Sequence, residues 1–132
     1  MPITFEWYDQ ERGILLTTVS GRWTWKDYLD MHERGVEMGL EAPHRLYVLV
    51  DYLNADYAVP TGIVQNLPKI TAHVRQANPN WYLTVIVTTN PLASTLINLV
   101  KPFSPAVRDH YHVVATLEEA LAIIEADRTK DN

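Results

Sequence analysis

The pattern of apolar and polar positions divides the chain into short alternating segments. Ile3–Tyr8, "ITFEWY", alternates apolar and polar residues in the strand manner. A polar turn, "DQERG", ends in Gly13, and "ILLTTVSG" follows as a second strand, so the two form an antiparallel hairpin. Thr24 then starts a helix, with Asp27 placed to complete a capping box. Trp25, Tyr28, Leu29, His32, Val36 and Leu40 fall near one face of that helix, and Gly35 and Gly39 beside them predict a close approach to the sheet.

Arg45–Tyr52, "RLYVLVDY", is a nearly unbroken apolar run, as expected of a central strand covered on both faces. A second helix is predicted from about Pro60, with Ile63, Leu67, Ile70 and Val74 as its inner stripe and a kink or break at Pro68. Trp81–Thr89 reads as another buried strand. Asn90 and Pro91 then read as cap and first residue of a third helix, ended by Pro102 and Pro105. "YHVVA" is a short last strand, and "TLEEALAIIEA" a last helix capped by Thr116 and Glu119. The order is β-β-α-β-α-β-α-β-α. It predicts an α/β fold with a mixed sheet, its first strand antiparallel and helices on both faces.

Bulk properties narrow the function. The 132 residues fit one domain, 1–132, large enough to fold without a metal or disulfide. The absence of cysteine excludes thiolate metal sites and a cysteine nucleophile, and fits a cytoplasmic location. The net charge is -5 and the basic residues are scattered, which argues against nucleic acid. No signal-peptide pattern is visible, and the longest apolar-rich stretch, Leu92–Val100, is too short to insert across a membrane.

Three segments carry a resemblance: "RGILLTTVSGRWTWKDY", "VLVDYLNADY" and "ATLEEALAII". In this order and spacing the chain resembles the STAS domains, and within them the small stand-alone SpoIIAA-like, or STAS/SEC14-like, bacterial proteins. The resemblance spans essentially the whole chain. In phosphorylatable STAS domains an Asp-Ser-Ser-Gly run opens the second helix, and its first serine takes a phosphate. Here Asp51 matches the aspartate at the strand end, Tyr57 the aromatic and Gly62 the glycine, but Val59, Pro60 and Thr61 stand where Asp-Ser-Ser would be. Proline has no hydroxyl, so the phosphoacceptor is missing and Thr61 is the one hydroxyl left in the turn.

Other chemistry is weakly marked. Asp51, Asn54, Asp56 and Asp109 read as turn residues rather than an acid–base cluster. His110 and His112 are spaced to share one strand face, but no further metal ligand accompanies them; His32 reads as a hydrogen-bonded core histidine. Ser94 and Thr95 lack a nucleophile elbow. The eleven tryptophans and tyrosines suit interfaces and ligand rims.

The third helix carries two apolar stripes where one suffices for a sheet. Leu92, Leu96, Leu99 and Phe103 are bulkier and are expected to face inward; Ala93, Ile97 and Val100 are expected to face outward. The expected partner- or ligand-binding residues are therefore Asp51, Asn54, Tyr57 and Thr61 around the turn, and Asn90, Ala93, Ile97, Val100 and Phe103 along this helix. The combined expectation is a non-catalytic interaction or regulatory module, a homodimer, with no cofactor or metal. The alternative, implied by the SEC14-like resemblance, is a carrier or sensor of a small apolar ligand.

Overall fold

The computed structural model describes residues 2–55 and 63–130. Its five strands are β1 (Ile3–Asp9), β2 (Ile14–Gly21), β3 (Leu46–Ala55), β4 (Trp81–Val87) and β5 (Tyr111–Val114). They form one sheet in the order β1-β2-β3-β4-β5. β1 pairs antiparallel with β2, and every later pairing is parallel. The hairpin turn closes through the Gly13 amide, which donates to the Gln10 carbonyl at 3.0 Å, with Gly13 at φ 71°. A side chain there would also strike the Arg45 backbone, so glycine is required twice over.

The helices are α1 (Trp25–Gly39), α2 (Ile63–Ala77), α3 (Pro91–Val100), α4 (Pro105–His110) and α5 (Leu117–Thr129), with a 3-10 turn at Lys101–Phe103. Their starts follow the side-chain chemistry. Thr24 and Asp27 form the reciprocal capping box. Asn90 Oδ1 accepts from the Leu92 amide at 3.0 Å, and Thr116 Oγ1 accepts from the Glu119 amide at 3.1 Å. The short helix α4 was not expected. Ser104 caps it by accepting from the Val107 amide, and Pro105 takes its first position, so this proline opens a helix rather than ending the previous one, which stops at Val100. Pro68 lies inside α2 without breaking it.

The sheet has two unlike faces. On one, Ile14, Tyr47, Leu49, Leu83, Val85 and Val87 bury against Ala120 and Ile124 of α5. On the other, Leu15, Leu46 and Trp81 gather Phe5, Met38 and Val74, while Ile97, Val100 and Val107 gather Leu67, Ile86, Tyr111 and Val113. That face is therefore covered by α1, α2, α3 and α4. α1 comes close to its neighbours at its two glycines. A methyl at Gly35 would lie 2.8 Å from the Phe5 ring, and one at Gly39 would lie 2.7 Å from Leu46 Cδ2.

Candidate functional site

The second face is not filled. A cavity of about 200 Å³ lies between the sheet and α1, α2 and α3. Its floor is built from alternate residues of the strands, among them Leu15 and Thr17 of β2, Val48 and Val50 of β3, and Ile86 of β4. Period-two alternation sends these side chains here and their neighbours to α5. Leu67, Ile70 and Val74 of α2 line another side, as the apolar stripe of that helix predicts.

An aromatic wall closes the side next to β3 and α1. Trp23 and Trp25 meet edge to face at 5.5 Å, and Trp25 and Tyr28 do so at 6.0 Å. Trp23 Nε1 donates to the Tyr52 hydroxyl at 2.6 Å. All four rings line the cavity. His32 lines it too, is buried, and has its Nδ1 3.2 Å from the Tyr28 hydroxyl.

Charge is disfavoured throughout. Burial pushes the Tyr28 phenol upward, and Tyr111 adds to the shift. Burial likewise raises Tyr111, against weaker opposing hydrogen bonds from Thr71 and Thr84. Burial lowers His32, and the nearby His73 lowers it further. The lining is therefore mainly apolar, with phenols and an imidazole whose charged forms burial disfavours and a few uncharged polar groups, Thr17, Asn78, Thr84 and Asn90.

Two polar atoms stand out against it. Among the described residues, four buried side-chain atoms lack a hydrogen-bond partner: Trp7 Nε1, Thr17 Oγ1, Trp25 Nε1 and Asn80 Oδ1. Thr17 and Trp25 belong to the cavity lining. A buried polar group without a partner costs about 1–3 kcal/mol. A bound molecule with an acceptor atom would relieve both donors.

The expected site residues divide sharply. Asn90, Ala93 and Ile97 line this cavity. Asp51 is half-buried in β3 and accepts from the Leu53 amide at 3.1 Å, a local turn bond, while Asn54 is exposed. Tyr57 and Thr61, with Asp56, Val59, Pro60 and Gly62, lie outside the described residues.

The assignment of the α3 stripes is reversed. Ile97 and Val100 are buried against Val107, whereas Leu92, Leu99 and Phe103 are exposed, Phe103 to 81%. Both stripes are apolar, and side-chain size alone does not decide which is buried. The structure chose instead by neighbours, because α4 and β5 cover the β-branched side. Ala93 is half-buried and Leu96 reaches the cavity from between the stripes. The histidine pair is corrected as well. His110 ends α4, with its Nδ1 2.6 Å from the Tyr82 carbonyl oxygen, while His112 lies in β5, so they do not share a strand face. Asp109 is engaged at the surface by Arg108, which donates to it at 3.0 Å.

The cavity itself has no sequence signal, because Thr17, Trp25 and Ile86 meet only in the folded chain. His32 and His73 likewise come together across α1 and α2, with ring centres 4.9 Å apart.

Comparison with known proteins adds one structure. The chain is similar to an uncharacterised protein of the DUF3478 family from Shewanella loihica PV-4, described as having a SpoIIAA-like fold. The two superpose with a TM-score of 0.58 at 15% identity, over 92% of this chain and 91% of that one. The fold is SpoIIAA-like. No protein-family model matches the chain, and no curated protein matches it significantly. No helix among the described residues is long and apolar enough to cross a membrane.

Proposed function

We propose that this protein binds a small, mainly apolar molecule in the cavity under its sheet, and serves as a carrier or sensor with no chemistry of its own. The observation that carries this reading is the cavity lining: apolar and aromatic side chains around two unpartnered polar groups, Thr17 and Trp25. Size limits the ligand. An apolar cavity of about 150 Å³ admits benzene, and drug-sized ligands need about 300–1,000 Å³. At about 200 Å³, this one suits a ring or short chain of on the order of ten non-hydrogen atoms, not a two-chain lipid. Chemistry limits it further, because Trp25 Nε1 can only donate. The ligand should carry a carbonyl, ether or hydroxyl oxygen.

Acetophenone and ethylbenzene are close in size and differ in that oxygen. Amide chemical shifts of Thr17, Trp25 and Ala93 should move on titration with either compound, and acetophenone should bind more tightly. If neither compound perturbs these amides at millimolar concentration, the cavity is not a binding site.

One observation favours a second reading. Leu92, Leu99 and Phe103 form an exposed apolar row on α3 and the turn after it. It supports contact with another protein or a second copy of the chain, as expected of an interaction module. The phosphoacceptor serine of STAS domains is replaced by Pro60, so that contact would not be switched by phosphorylation there.

A further inference from the structure

We propose that His32, Glu33 and His73 form a binding site for a borderline divalent cation of the zinc class. The three residues come from two helices, His32 and Glu33 from α1 and His73 from α2. One donor atom from each lies within 4.8 Å of the other two. His73 Nε2 is 4.0 Å from Glu33 Oε1. A pair of imidazoles with one carboxylate is a donor set that zinc accepts, leaving a fourth position for water or another ligand.

The site has one fixed and two adjustable members. His32 is buried, and its Nδ1 bonds with the Tyr28 hydroxyl at 3.2 Å. A hydrogen bond of this kind holds the ring of a metal-binding histidine in place. With Nδ1–H donating to Tyr28, the lone pair lies on Nε2. Glu33 and His73 are exposed, with 76% and 51% of their side-chain surface open. In a tetrahedral zinc site with bonds of about 2.0–2.1 Å, donor atoms sit about 3.4 Å apart. Rotation of Glu33 and His73 about their own side-chain bonds is the movement that would close the difference.

The surroundings both help and oppose. Trp25, Leu29 and Ile70 shield a groove beside the two histidines, and Asn66 adds a polar group to it. Lys69 lines the same groove, and its charge works against a cation. Without a metal, the cluster is a contact between two helices, with the imidazoles tilted by 46° at 4.9 Å and Glu33 near one of them.

Calorimetric titration of the untagged protein with zinc chloride at pH 7.5 separates the two. Saturable binding of one ion, in the micromolar range or tighter, is the expected result. His73→Ala should weaken it at least tenfold and Glu33→Gln by a smaller factor. Both residues are exposed, so neither change should disturb folding. His112→Ala should leave the affinity unchanged. The proposal falls if the wild-type protein shows no saturable binding, or if either His73→Ala or Glu33→Gln binds zinc as tightly as wild type.

Discussion

The two faces of the sheet are built from the same strands and differ in what they leave undone. Toward α5, Tyr47, Leu49, Val85, Val87 and Ile124 are each 1% exposed or less. The polar groups at the edge of that face are engaged as well. The Tyr47 hydroxyl donates to Asp127 Oδ2 at 2.7 Å, and Arg45 donates to the Asp127 carbonyl oxygen at 2.8 Å. Toward α1, α2 and α3, the strands offer mainly apolar residues with Thr17 and Thr84 among them, yet a hollow remains and two of its polar lining groups lack a partner. The strands add Thr17 to that difference, but they do not make the hollow. It arises in the covering layer, where glycines bring α1 close at Gly35 and Gly39 while the rings of Trp25 and Tyr28 wall the space at the other end. A face filled to completion serves stability. A face left open at a cost is where the proposed ligand would bind.

Truncating the filled face should have the largest effect. Leu49 is 0% exposed, and Leu49→Ala leaves a void that its neighbours cannot collapse around. The expected loss is about 2–5 kcal/mol, read by urea denaturation. A loss under about 1 kcal/mol would show that this face is less tightly filled than it looks.

Filling the open face should do the opposite. Ala93→Phe puts a ring into the hollow from α3. Binding of acetophenone should disappear while the midpoint of thermal unfolding holds or rises, because cavity filling offsets the loss of adaptability. A variant that unfolds early would mean that the hollow is too narrow for a ring, and would count against the proposed ligand size.

Removing an unpartnered group sharpens the contrast further. Thr17→Val keeps the shape and deletes the hydroxyl, so the free protein should gain about 1 kcal/mol. The same variant should bind acetophenone more weakly and ethylbenzene unchanged. Hydrogen-bonded polar groups on the filled face behave differently. Burial and the bond to Asp127 raise the Tyr47 phenol to about 12. Its contribution is fully present below the ordinary tyrosine value near 10 and fades as pH rises from there toward 12. Tyr47→Phe should flatten that alkaline fall in stability.

How much of this was legible beforehand follows from the range of the interactions. The hairpin, the parallel strands and the caps at Thr24, Asn90 and Thr116 depend on residues a few positions apart, and each was readable. The close approach at Gly35 and Gly39 was readable because glycine in a helix interior carries a cost that needs a reason. The cavity was not, because it is a mismatch between layers rather than a property of any segment. The His32–His73 contact was not either, because α1 and α2 are separated by β3. The α3 stripes show the limit most clearly. Ile97 and Val100 face inward because α4, a helix hidden behind two prolines, covers them.

The smallest expected effect concerns the surface of α3. Phe103 is 81% exposed and Leu99 53%, so replacing them removes little buried area. Phe103→Asp with Leu99→Ser should change the stability of the monomer by less than about 0.5 kcal/mol per site, the range of ordinary surface substitutions. Ile97→Glu, by contrast, buries a charge beside Val100 and Val107 and should unfold the domain outright. The pair of experiments separates a row that packs from a row that waits for a partner. If the chain associates through the exposed row, light scattering of the double variant should report a monomer where the wild type reports a dimer, with an unchanged circular dichroism spectrum. If the variant and the wild type scatter alike, Leu92, Leu99 and Phe103 do not join two copies.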